Sequence, residues 1–189
     1  MKKRDHDPLS NGLLYQAILP LRWEGASGGV TEQQLVAAED HNERMLQALI
    51  TLQERHLESQ EEEQENAPEL ARIEAKLDML MELVSQLKPQ REQEEGRFSL
   101  KLGSRGISWQ GCLSPLPQKD QSLWLYLQLD ERLPKPLQLF GYVVTVEDVV
   151  GGHSITLVFE DLGQRVMDLL GKLIFRQHRR EVALKRSRP

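Results

Sequence analysis

Between Asn66 and Leu87 the apolar residues Leu70, Ile73, Leu77, Leu80, Val84 and Leu87 follow at spacings of three, four, three, four and three. That repeat, about 3.5 residues on average, sets them in one narrow stripe along an α-helix. Asn66 is suited to cap the first turn, with Glu69 three positions on to complete a capping box. Pro68 falls in that turn, where its missing N–H does no harm. Pro89 closes the run by disfavouring helical geometry at Lys88. Met81 and Leu83 take flanking positions and widen the face beyond what a two-stranded coil needs. Leu at position a with Ile at d leans towards three or four strands. The stripe must be covered, either by its own domain or by another copy of the chain. Its breadth favours self-association.

A second stripe precedes it. Thr31 and Gln34 form a capping-box pair and open a helix running to about Gln60. Its seam is Leu35, Ala38, Asn42, Met45, Leu49 and Leu52, thickened by Leu46 and Ile50. The register passes through His56, Ser59, Glu63 and Asn66 and meets Leu70 in phase, so one continuous helix is an alternative. From Gln53 to Asn66, however, Leu57 is the only large apolar residue, while Glu58, Glu61, Glu62, Glu63 and Glu65 crowd together. Two helices folded back as an antiparallel hairpin are therefore expected, with the acids on a solvated face. Asn42 and His56, polar residues in the seam, are candidate register-setters for helix pairing. His41 stands beside Glu39, Asp40 and Glu43 but lacks a second His at the spacing of a zinc-binding helix; no metal is expected.

The strand-like segments lie on either side of this helical region. Leu13 to Trp23 reads as extended, with Tyr15, Ala17 and Leu19 on one face and Pro20 limiting it to an edge or a bend. Gln90 to Gly96 is a charged linker, after which the period changes to two. Phe98, Leu100 and Leu102 alternate; Gly103 and Gly106 mark a tight turn; Ile107, Trp109 and Gly111 begin the next strand. Pro115 and Pro117 place Leu113–Gln121 in a loop. Leu123, Leu125, Leu127 and Leu129 point inward. Leu137–Asp148 and Ser154–Glu160 pair through a Gly151-Gly152 turn. Val166, Leu169, Leu170, Leu173 and Ile174 give a closing helix, from about Gly163 to Val182, an apolar face for an open barrel end. The expected class is α+β: a small antiparallel β-barrel of five or so strands with a C-terminal helix, plus two long helices forming a coiled-coil or bundle oligomerisation module. Residues 1–30 form a tail and an extra barrel strand, 31–88 the helical module, and 89–189 the barrel, closing helix and basic tail.

The net charge of −5 argues against a dedicated nucleic-acid binder. The single cysteine, Cys112, excludes an internal disulfide and reads as a buried or half-buried core residue. The first residues are charged with no apolar run after them, so no leader is expected. No stretch approaches the roughly 20 apolar residues of a membrane span; the expected setting is cytoplasmic. Phosphate-loop, dinucleotide-binding and nucleophile-elbow motifs are missing, so neither an enzyme nor a cofactor is expected. The basic end, Arg176, Arg179, Arg180, Lys185, Arg186 and Arg188 against Glu181, reads as a solvated terminus, with an anionic partner as the alternative.

The segments GISWQG, LWLYLQLD, FGYVVTVED, ITLVFEDL and LLGKLIFRQHRRE, in that order, resemble a PilZ domain over about Phe98 to Glu181. The preceding long helices resemble the atypical, tetramer-forming branch of that family. The resemblance implies a bacterial signalling protein, and PilZ domains are known for binding cyclic di-GMP. The family's R-x-x-x-R pair would fall on Arg91 and Arg97, here separated by five residues instead of three. Its D/N-x-S-x-x-G motif would fall on Leu102-Gly103-Ser104-Arg105-Gly106, where Leu102 takes the acidic position and the spacing is one residue short. Guanidinium forks grip phosphates. Losing two charge-assisted contacts costs roughly 3–6 kcal/mol, on the order of a hundred- to ten-thousand-fold in affinity. Binding by the usual motifs is therefore not expected. Arg91, Arg97, Ser104 and Arg105 are the candidate residues of a degenerate nucleotide site. The expected function is non-catalytic: a homotetramer assembled through the stripe from Leu70 to Leu87 that acts on an unidentified signalling protein. The alternative is a receptor binding cyclic di-GMP or another nucleotide through a rearranged site.

Overall fold

The computed structural model describes residues 9, 12–26, 28–58, 72, 73, 76, 77, 79, 80 and 96–186, with backbone alone at 55–58, 181 and 184–186. Six antiparallel strands close into a barrel: β1 (Tyr15–Gly25), β2 (Gly96–Leu102), β3 (Gly106–Gly111), β4 (Ser122–Leu127), β5 (Leu137–Val149) and β6 (Gly152–Phe159). Their order around the barrel is β1-β2-β3-β6-β5-β4. Two helices lie on it, α1 (Glu32–Glu58) and the C-terminal α2 (Gln164–Arg186).

The period-two patterning determines what fills the barrel. Leu100 and Leu102 from β2, Ile107 and Trp109 from β3, Leu123, Leu125 and Leu127 from β4, Leu137, Leu139 and Val143 from β5, and Ile155 and Leu157 from β6 are all buried. Trp23 of β1 meets Phe98 edge-on, with ring centroids 5.5 Å apart, and Trp109 at 5.9 Å, a spacing favourable for aromatic pairs. Gly141 allows a close strand approach: a Cβ there would collide with the Val158 carbonyl of β6. Two residues on, a bulge between Val143 and Thr145 shifts the β5–β6 register. The β5–β6 turn uses Gly151 at φ 89° and Gly152 at φ 144°, conformations that suit glycine.

Of the two alternatives that Pro20 left, an edge or a bend, β1 is not an edge strand. It bonds to β2 from Tyr15 to Leu21 and to β4 from Leu21 to Gly25. Pro20 sits where β1 changes partners, its carbonyl accepting from the Gln128 N–H at 3.1 Å. A residue without an N–H is tolerated at such a handover. β1 thus makes the sixth strand and closes the barrel although some seventy residues separate it from β2.

The capping box at Thr31 forms as expected: the Thr31 N–H donates to Gln34 Oε1 at 2.9 Å and the Gln34 N–H to Thr31 Oγ1 at 3.3 Å. The partner of α1 differs from expectation. Its seam faces its own barrel and α2, and Leu46 and Leu49 belong to the same core cluster as the barrel leucines and as Val166, Leu170, Leu173 and Ile174 of α2. Asn42, read as a register-setter between helices, instead grips β5. Its Nδ2 donates to the Gln138 carbonyl at 2.6 Å and its Oδ1 accepts from the Gln138 N–H at 2.8 Å. His41 Nε2 donates to the Pro136 carbonyl at 2.9 Å. The side chain of His56 lies outside the described residues. Cys112 is exposed, contrary to the core position expected of it; it follows the last residue of β3, where inward alternation ends.

Candidate functional site

Two surfaces carry the residues singled out from the sequence. The first is the heptad stripe. Ile73, Leu77 and Leu80 are helical and 56%, 48% and 57% exposed, and Met79 beside them is 64% exposed. These large apolar side chains are the reverse of the α1 stripe, where Ala38, Leu46, Leu49 and Ile50 are at most 5% exposed. Leu70, Val84 and Leu87, and the choice between hairpin and continuous helix, lie outside the described residues.

The second surface is the barrel wall around the β2–β3 turn. That turn is closed by the Gly103 N–H donating to the Gly106 carbonyl at 2.9 Å, and the Arg105 carbonyl accepts from the Phe159 N–H at 2.9 Å. Leu9 and Leu14, ahead of β1, lie against Gly103. They also wall a groove of about 600 Å³ floored by Lys101, Ser108, Gln110, Thr145, Ser154 and Thr156, with Glu147 beside them. The floor comes from the outward positions of β2, β3, β6 and β5. The turn that carries Ser104 and Arg105 therefore adjoins this groove, whose lining includes neither residue.

Arg97 does not join them. It sits at the opposite end of β2, seven residues from Ser104, which at about 3.3 Å per residue is on the order of 20 Å. There it pairs with Glu131 at 3.1 Å and lines a smaller depression of about 390 Å³ with Asp130 and Arg132. Arg132 holds Asp130 through Nε and Nη2, at 2.9 and 2.8 Å. That fork keeps the Asp130 carboxyl below the usual range despite partial desolvation. Arg91 lies outside the described residues. The candidate nucleotide set is thus divided between two ends of a strand. Among its described lining residues the larger groove offers one lysine, Lys101, and no arginine fork for a phosphate. The groove escaped sequence reasoning because its hydroxyls are scattered over four strands; alternation alone marks them as outward.

Elsewhere the wall carries compensated charge. Arg22 pairs with Glu24 and stacks over Tyr126, 4.0 Å from the ring centroid. Burial, and then the Glu24 charge, push the Tyr126 hydroxyl up from its ordinary value. Among the described residues, no group of three or more His, Cys, Asp or Glu is placed to hold a metal ion, and no helix is long and apolar enough to cross a membrane.

A closed six-stranded antiparallel barrel with a helix docked after its last strand, and the long helix α1 inserted between its first two strands, is the architecture of a PilZ-type domain. The family model for "Atypical PilZ domain, cyclic di-GMP receptor" matches residues 46–187, and the chain belongs to that family. The match is to a receptor domain and not to a catalytic family. Among solved structures, the chain is similar to a pathogenic protein from Xanthomonas campestris described as a new tetrameric PilZ domain self-assembled via an unusual helical bundle. The TM-score is 0.67 with 23% identity, covering 92% of each chain, a likeness of fold. No curated protein matches.

Proposed function

We propose that this chain is a non-catalytic, cytoplasmic PilZ-type module that assembles as a homotetramer and acts by protein–protein interaction in bacterial signalling. The observation that carries this is the exposure of Ile73, Leu77, Met79 and Leu80 on a helix, because an apolar stripe of that size is unfavourable in water. The stripe from Leu70 to Leu87 is the assembly surface, and residues 31–88 divide their work: α1 docks on the barrel, and the following heptads meet other subunits. The similar protein from Xanthomonas campestris, itself described as tetrameric through a helical bundle, supports the same reading. Sedimentation equilibrium tests it. The expected mass is four times 21.7 kDa, and a monomer at micromolar concentration would overturn it.

A second reading has an observation of its own. The family is described as a cyclic di-GMP receptor, and the groove beside Ser104 and Arg105 has the size of a small-molecule site. Isothermal titration with cyclic di-GMP separates the two. The proposed module gives no heat at micromolar ligand, because Leu102 stands in the acidic position and Arg97 is engaged with Glu131 at the far end of β2.

A further inference from the structure

The groove floored by outward residues of β2, β3, β6 and β5 has no part in the assembly proposed above. Strand register orders its polar side chains in two rows across the barrel wall. Lys101 pairs with Ser108, Ser108 with Thr156 and Thr156 with Thr145. Two residues along the strands, Gln110 pairs with Ser154 and Ser154 with Glu147. The bulge between Val143 and Thr145 adds to this floor, because it lets the consecutive residues Val144 and Thr145 line the same groove. Strict alternation would send one of the two inward. Leu9 and Leu14, packed on Gly103 two residues beyond Lys101, form an apolar wall.

This lining restricts the ligand it will accept. Its two charges, Lys101 and Glu147, stand at opposite corners, and among the described residues neither has an ion-pair partner. Elsewhere on the wall Arg22–Glu24, Arg97–Glu131 and His153–Asp148 are matched. Three steps between strands, at about 4.8 Å each, put the two corners roughly 14 Å apart. A ligand that answers both carries an anion at one end and a cation at the other. The single lysine, with no arginine fork, is a poor grip for a phosphate diester, and no aromatic side chain lines the groove as a platform for a base. Between the corners lie hydroxyls and an amide, which serve as donors or as acceptors. They suit a backbone that presents N–H and C=O in alternation. An extended chain advances about 3.3–3.6 Å per residue, so about four residues span the corners.

We propose that this groove binds a short extended peptide with free ends, about four residues long. Its carboxylate meets Lys101, its ammonium meets Glu147, and the hydroxyls of Ser108, Ser154 and Thr156 bond its backbone. The site is independent of assembly, because one chain supplies the whole lining.

The test is isothermal titration of the full chain with tetra-alanine, beside the same peptide amidated at its C-terminus or acetylated at its N-terminus. Tetra-alanine is expected to bind, and each blocked form to bind several-fold more weakly. In Lys101→Gln the amidated and free forms bind alike; in Glu147→Gln the acetylated and free forms do. Both positions are exposed, so both variants keep the fold, which circular dichroism verifies. No heat from tetra-alanine at millimolar concentration overturns the proposal. Blocked forms that bind as well as the free peptide overturn it too, as does a preference for free ends that survives in both variants.

Discussion

The two heptad stripes have nearly the same pattern and opposite fates. Leu35, Ala38, Asn42, Met45 and Leu49 face the chain's own barrel, with Leu46 and Leu49 in its core. Ile73, Leu77 and Leu80 stand roughly half exposed. A heptad seam says that a face must leave water; it does not say what will cover it. The polar member of the first stripe shows how the choice is made. Asn42 matches both backbone polar groups of one half-buried β5 residue, Gln138, at 2.6 and 2.8 Å, and two hydrogen bonds of fixed geometry orient the helix on the sheet. The described seam positions of the second stripe, Ile73, Leu77 and Leu80, are all apolar, which suits a face that meets copies of itself.

The contrast is sharpened most by charging the second stripe. Ile73→Asp together with Leu77→Asp is expected to abolish assembly, reducing the sedimentation mass to that of one chain while the β-sheet signal in circular dichroism persists. Loss of the barrel along with assembly would mean that both stripes serve one core. On the first stripe, Leu46→Ala removes a side chain with no exposure and should lower unfolding free energy by about 2–5 kcal/mol. Urea titration would show this as a lower midpoint, with the folded oligomer's mass unchanged.

Asn42→Ala should cost less, about 1–3 kcal/mol, since it takes from both half-buried backbone groups of Gln138 the partners that Asn42 supplies. Its assembly should match the unaltered chain; a changed oligomeric mass would restore Asn42 as a register residue between subunits. The smallest effect concerns the ion pair between α1 and α2. The hydrogen bond from Arg176 holds the Glu54 carboxyl below the usual carboxylate range. Because the folded-state value is depressed, its stabilisation is present above about pH 4.5 and fades as the pH falls through the folded-state value. Melting temperatures measured down to that range should fall slightly less steeply for Glu54→Gln than for the unaltered chain.

Much of the barrel was legible because alternation is a local code. Leu123, Leu125 and Leu127, the Gly151-Gly152 turn and the buried face of α2 follow from residue spacing. The candidate nucleotide residues were legible as types but not as a place: β2 sets Arg97 at its start and Ser104 in the turn beyond its end, and a stretch that reads as adjacent is extended in space. Cys112 was misplaced because its neighbours predict burial, while the strand ends one residue before it.

By itself the sequence determined periods, caps and turns, since each depends on groups only a few residues apart. Closure of the barrel by β1, the handover at Pro20 and the covering of α1 by its own sheet and by α2 were decided only by tertiary structure. These contacts join residues distant in the chain, and their free energy depends on which surfaces fit together in space.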